Sequence, residues 1–186
     1  QMKMAPLSRI NQLDAPVDAR QSGVMVLLFE EQNQWHTLLM LRASDGHVHS
    51  GQISFPGGKK EELDKDIVET AKRECEEEIG VRRHEIEVLG TLTPIYIPPS
   101  NFLVTPTIGY ISFVQAFKPS EKEVQEIIQV PLNLLFDPVI KQQHKVRRSD
   151  QPETDMQTPV YKLNDDITIW GATAMIISEL EQLLKN

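Results

Sequence analysis

The 186 residues carry 40% hydrophobic and 25% charged side chains, ordinary for one soluble globular domain with a core of its own. A net charge of −8 excludes a general nucleic-acid or anionic-membrane binder, though not small phosphorylated ligands met through a cation. One cysteine excludes an internal disulfide, the longest apolar run (residues 24–29) is far too short to span a bilayer, and no secretory signal is visible, so the sequence reads as cytoplasmic.

Along the chain, residues 1–22 read as an irregular arm or a short leading helix, and residues 23–186 as one domain. Residues 23–30 and 35–42 are β-type runs around polar 31–33, the pattern of a hairpin. Polar 44–50 is a loop, and 52–55 a short strand ending at Pro56-Gly57-Gly58. A helix is predicted over 64–79, stopped by Gly80, with Asp64 and Asp66 near its start. Strands follow near 85–97, 104–113 and 124–130, then a helical turn at 131–136. Residues 141–148 and 159–163 make a late hairpin around a polar, mobile stretch at 149–158. Residues 171–184 form an amphipathic helix with Met175, Ile176, Leu180, Leu183 and Leu184 inward. Strands, a helix, more strands and a closing helix predict an α/β sandwich with a mixed sheet between helices.

The helix over 64–79 holds the most informative residues, Arg73-Glu74-Cys75-Glu76-Glu77-Glu78-Ile79-Gly80-Val81. Carboxylates near a helix C-terminus oppose the local dipole, and Glu77 and Glu78 also repel each other. A local rule broken this plainly marks a functional site. Divalent cations are the evident compensation, since hard Mg²⁺ takes carboxylate oxygens together with phosphates. At about 100° per residue, Ile67, Ala71, Cys75 and Ile79 form the buried stripe. Glu74, Glu77 and Glu78 stand at i, i+3 and i+4 on neighbouring parts of one face, with Glu74 and Glu78 along the stripe's edge. Glu69, Lys72 and Glu76 point away, as an ordinary solvated face. Cys75 lies on the stripe and reads as a small core residue rather than a nucleophile.

The segment Gly58-x5-Asp64-x8-Arg73-Glu74-Cys75-x-Glu77-Glu78-x-Gly80-Val81 resembles the Nudix box, G-x5-E-x7-R-E-U-x-E-E-x-G-U with U aliphatic. Asp64 replaces the first Glu, and one extra residue precedes Arg73. The resemblance implies a Nudix-type α/β/α sandwich and a hydrolase that cleaves a pyrophosphate linkage with Mg²⁺ or Mn²⁺. Such ions polarise phosphoryl oxygens and lower the pKa of bound water. It implies Glu74 and Glu78 as the main metal ligands, the Gly58 carbonyl as a third, and Glu77 as general base or further ligand. Arg73 is implied to orient the loop through a carboxylate, either Asp64 or Asp66. The competing reading of Arg73 is an exposed i,i+4 pair with Glu69 or Glu77. In some relatives a late glutamate reaches the metals, which brings in Glu123 and Glu126. An ordinary exposed strand glutamate is the simpler reading of either.

Upstream, Leu38-Leu39-Met40-Leu41-Arg42-Ala43 precedes Gly51-Gln52-Ile53-Ser54-Phe55-Pro56-Gly57-Gly58. This is similar to the pattern LL-x-x-R-[SA]-x3-R-x3-G-x3-FPGG of the coenzyme A pyrophosphatase branch, with His47 at the second Arg. Residues 101–106, 130–132 and 169–173 resemble later segments of that branch. The implied substrate is coenzyme A or a derivative, cut to adenosine 3′,5′-bisphosphate and 4′-phosphopantetheine. Arg42 pairs with a phosphate as a planar fork, or packs on the hairpin as a surface Arg. His47 would be a weaker, pH-dependent phosphate partner. Phe55 and Trp170 stack on an adenine or are buried anchors. One alternative is a pyrophosphatase for ADP-ribose, dinucleotides or nucleoside triphosphates. Another is a non-catalytic nucleotide-binding sensor, which the three retained box carboxylates disfavour. The expected partner is a small nucleoside diphosphate-linked molecule, with no nucleic acid and no membrane, and the resemblance admits a homodimer.

Overall fold

The structure is a computed structural model that describes residues 4, 15–43, 51–112, 116–148 and 151–185, with backbone alone at 147, 148, 151, 152 and 154. Strand β1 (Arg20–Glu31) starts before the apolar run read from sequence and turns into β2 (Gln34–Arg42) through Gln32 and Asn33. Both turn residues are left-handed (φ 52° and 60°), and Glu31 faces Gln34 across the pair. Two left-handed residues match the twist of a two-residue hairpin. Along β1 the side chains alternate: Met25, Leu27 and Phe29 join one apolar cluster, Val26 and Leu28 another. A strand buried on both faces reads as a continuous apolar run, as residues 24–29 do.

Short strands β3 (Ile53–Ser54) and β4 (Gly57–Lys59) branch from β2 and β1 respectively. Helix α1 (Ile67–Ile79) follows, then β5 (Glu87–Thr91), β6 (Ile95–Ile97), β7 (Phe102–Tyr110) and β8 (Val124–Pro131). The main sheet runs β3-β2-β1-β7-β5, with β4, β6 and β8 paired at its sides. β1 and β7 are parallel and the other pairs antiparallel, so the sheet is mixed. The predicted helical turn is α2 (Leu132–Leu135). Strands β9 (Lys141–Arg148), β10 (Gln151–Lys162) and β11 (Thr168–Ile169) make a second, antiparallel sheet, and α3 (Gly171–Lys185) closes the described chain. Ala71, Cys75 and Ile79 of α1 cover one face of the main sheet, and Ala174, Ile176, Ile177 and Leu180 of α3 belong to the core on the other. This is the α/β/α sandwich expected.

Three expectations are corrected. Helix α1 begins at Ile67 rather than 64, because Asp66 is extended (φ −151°) and its side chain accepts from the N–H groups of Val68 and Glu69 as an N-cap. Residues 151–158 are strand rather than a mobile stretch, since β10 pairs with β9 from Asp155↔Arg147 to Tyr161↔Lys141. Leu183 and Leu184 are about half exposed, and Ile177 takes the inward position instead. No helix among the described residues is long and apolar enough to cross a membrane.

Candidate active site

Two close backbone approaches build the site. A Cβ on Gly23 of β1 would stand 2.5 Å from the Ile67 carbonyl oxygen and 3.0 Å from the Ala71 nitrogen, so α1 lies directly on the strand. A Cβ on Gly58 of β4 would collide with the Glu74 carboxylate. Glycine at both places lets the helix and the β4 backbone come together with the box carboxylates between them. The helix end is fixed as well. Gly80 (φ 76°) donates its N–H to Glu76, while the N–H groups of Lys118 and Ser120 reach the Ile79 and Glu78 carbonyls at 2.9 Å each.

Arg73 is buried and holds the loop before the helix. Its Nε and Nη2 donate to the two Asp64 oxygens at 3.0 and 3.1 Å, and Nη2 also reaches the Lys59 carbonyl at 3.0 Å. Asp64 further accepts from the Thr70 hydroxyl and the Glu61 N–H. The Arg73 hydrogen bond holds the Asp64 carboxyl down at about 2, and the same bond raises Arg73. Asp64 is therefore the loop partner, and Asp66 is the helix cap. The i,i+4 contact exists too: Arg73 Nη1 lies 2.9 Å from Glu77 and, equally, 2.9 Å from Glu74.

Glu78 is the most buried of the box carboxylates. One oxygen accepts the Gly57 N–H at 2.7 Å, and the other meets Arg42 Nη1 at 3.2 Å. Burial pushes its carboxyl up to about 8, against the opposing pull of Arg42. Burial also raises Glu74, which the Arg73 charge only partly offsets. Ionising either group costs more here than in water, and a cation beside it would offset that cost. Glu77 is half exposed, on the solvent side. Among the described residues no three carboxylate, histidine or cysteine side chains converge as a finished metal cage. The donor set of Glu74, Glu78 and the Gly58 carbonyl nonetheless suits a hard divalent cation, all of it being oxygen.

The other expected residues divide. Arg42 ends β2 and enters the site through Glu78. Phe55 is 2% exposed inside the core and shows no ring face to a base, so its place is packing rather than stacking. Trp170 is half-buried just before α3. His47 lies outside the described residues. Glu123, in the turn before β8, is exposed, and its charge acts to raise both Glu74 and Glu78. Glu126 is exposed on β8 opposite Leu41. Cys75 is fully buried, with its thiol pushed far up by burial and then by Glu78 and Glu76, and cannot serve as a nucleophile.

Residues 19–153 match the family model for the NUDIX domain. The chain belongs to the Nudix hydrolases. A Nudix relative named uncharacterized Nudix hydrolase NudL, from Pectobacterium atrosepticum, is 36% identical over 77% of this chain and 72% of its own length. The mouse peroxisomal coenzyme A diphosphatase NUDT7 is 32% identical over 68% of this chain, which spans only 53% of that relative. Among solved structures, a MutT/nudix family protein from Enterococcus faecalis aligns with a TM-score of 0.55 at 17% identity, over 98% of this chain and 71% of that one. At that identity the likeness speaks for the Nudix fold alone.

Several residues that hold this Nudix site gave no local signal. The Ser22 hydroxyl donates to the Gly58 carbonyl at 2.8 Å. Thr70 backs Asp64, and Ser120 anchors the Glu78 backbone. Ser22 was detectable only as a polar side chain beginning a buried strand. Its partner lies far along the sequence and no spacing rule links the two.

Proposed function

We propose that this chain is a Mg²⁺- or Mn²⁺-dependent pyrophosphohydrolase acting on coenzyme A or its derivatives, releasing adenosine 3′,5′-bisphosphate and 4′-phosphopantetheine. The observation that carries this is the pair of carboxylates, half-buried Glu74 and buried Glu78, set over the Gly57–Gly58 backbone in a helix end without a basic residue in its last turn. Coenzyme A is favoured by the pattern at residues 38–43 and 51–58 and by the 32% identity to the mouse coenzyme A diphosphatase. Glu74, Glu78 and the Gly58 carbonyl would hold the ion. When bound it supplies phosphoryl charge neutralisation and a water of lowered pKa.

The chain's own groups do the rest. Arg42 faces a phosphate, as a planar guanidinium suits. Glu77, half exposed and steadied by Arg73 at 2.9 Å, takes the proton of the attacking water. Water oxygen bonds to one phosphorus, and the bridging oxygen leaves with the other. Glu123 is the alternative base, because it is exposed and its charge already reaches Glu74 and Glu78. A reducing compartment such as the cytoplasm suits a single buried cysteine.

The test is parallel incubation of the protein and Mg²⁺ or Mn²⁺ with coenzyme A, ADP-ribose, NADH and a dNTP, with products separated by chromatography. The expected outcome is the bisphosphate from coenzyme A, lost by at least about 100-fold in Glu78→Gln if the ion supplies several kcal/mol. Cleavage of a different compound would keep the chemistry and reject coenzyme A. Binding of a nucleotide without cleavage would reject hydrolysis.

A further inference from the structure

Arg42 occupies the position where the proposed ion would compete with it. The Glu78 side chain is 2% exposed and has two oxygens to offer. One is committed to the Gly57 N–H at 2.7 Å, and the other carries Arg42 Nη1 at 3.2 Å. A divalent ion held by Glu78 through that second oxygen would sit beside the guanidinium, and its charge would repel it. The Arg42 backbone is pinned on both sides: its own N–H donates to the Gln52 carbonyl at 3.1 Å, and the Ala43 N–H to the Glu123 carbonyl at 2.9 Å. The pairing of β2 with β8 shifts register between Leu41 and Arg42, which re-aims the side chain at the end of the strand. The side chain itself is 30% exposed. It can therefore leave Glu78 by rotating about its own bonds, with the strand unmoved.

We infer that Arg42 is a displaceable counter-ion: it neutralises Glu78 in the metal-free protein and is expelled when a divalent cation binds there. This rests on the reading of Glu78 as a metal ligand. Metal loading and release of the guanidinium toward the incoming phosphate become one event, and whenever Glu78 ionises in the metal-free protein its charge is not left unpaired.

The experiment is titration with Mn²⁺ alone, without substrate, of the wild type, Arg42→Met, Arg42→Lys and Glu78→Gln, followed by calorimetry. Melting temperatures are taken with and without saturating Mg²⁺. Arg42→Met is expected to bind Mn²⁺ about threefold to tenfold more tightly, the scale of a partly exposed charge-assisted pair. Its melting temperature falls in the metal-free protein and matches the wild type in Mg²⁺, because the pair exists only without metal. Arg42→Lys, which keeps the charge, stays near the wild type and supplies a folded control. An unchanged or weaker Mn²⁺ affinity in Arg42→Met, with the same melting loss in both conditions, would mean the pair survives metal binding and overturns the inference. If Glu78→Gln binds Mn²⁺ like the wild type, the metal-ligand reading fails, and the counter-ion role falls with it.

Discussion

Arg73 shows how one side chain can organise the loop before a helix. Its flat guanidinium offers donors in several directions at once, and here they meet Asp64, the Lys59 carbonyl, Glu74 and Glu77. Asp64 is one methylene shorter than the Glu of the box pattern, yet both its oxygens reach Arg73, at 3.0 and 3.1 Å. Asp64→Asn keeps the shape and removes the charge. We expect it to cost about 3 kcal/mol at pH 7, as for removal of one partner from a buried pair. The pH dependence has a definite sign. The Asp64 carboxyl sits at about 2 against an ordinary 3.8, so its contribution is complete above 3.8 and lost as pH falls through about 2. Urea denaturation should show the gap between wild type and Asp64→Asn narrowing over that interval. A gap independent of pH would mean the hydrogen-bond shape, not the charge, holds the loop.

At the scale of elements, the join between β1 and α1 decides whether the carboxylates arrive in place. Gly23→Ala puts a methyl group 2.5 Å from the Ile67 carbonyl oxygen and 3.2 Å from the Thr70 Cβ, and these contacts include backbone that cannot rotate aside. Overpacking of this kind costs about 1–3 kcal/mol, and it tilts the helix that carries Glu74 and Glu78. The expected result is a folded protein with a lowered melting temperature and a hydrolysis rate reduced more than its stability. Unchanged activity at lowered stability would show the site tolerates a displaced helix. The helix side of this join was legible in the sequence, while the close approach of Gly23 was not. Of the predicted stripe, Ala71, Cys75 and Ile79 are fully buried and Ile67 only half-buried, and Gly80 ends the helix as a left-handed cap. The β9–β10 pair was less so. Val160 and Tyr161 are fully buried and give a strand signal, but Glu153, Asp155 and Gln157 are exposed and read as loop. The strand conformation of Asp155 and Gln157 comes from pairing with β9, Asp155 opposite Arg147 and Gln157 opposite Lys145, while Glu153 lies in the register shift before them. Such pairing is tertiary and leaves no apolar period to read. The partnership of Arg42 with Glu78 was hidden for the same reason. Each residue was picked out from its own motif, but only the folded sheet brings β2's end to the end of α1.

For the molecule as a whole, the burial of Glu78 ties stability to its protonation, and under the proposed function pH and metal are the variables that expose this. Glu78 prefers to be protonated in the folded chain, its carboxyl raised by burial to about 8 from an ordinary 4.5. Between those values the folded state binds more protons than the unfolded one, so the Glu78 contribution to stability falls as pH rises. With Glu78 as a metal ligand, as proposed, a divalent cation would reverse the preference, since it binds only the ionised carboxylate, and binding to the folded state alone adds stability by mass action. The metal-free protein should therefore lose melting temperature from about pH 5 to pH 8 through this group, while the increment given by saturating Mg²⁺ should grow across the same window. Glu78→Gln removes the titrating proton and most of the ligand. It should flatten the metal-free profile and abolish most of the Mg²⁺ increment, and above pH 8 the metal-free variant should melt higher than the metal-free wild type. A variant that melts lower there would mean that Arg42 and the Gly57 N–H already compensate the ionised carboxylate in full. In that case the tension at this helix end would reside in Glu74, the half-buried carboxyl that burial also raises.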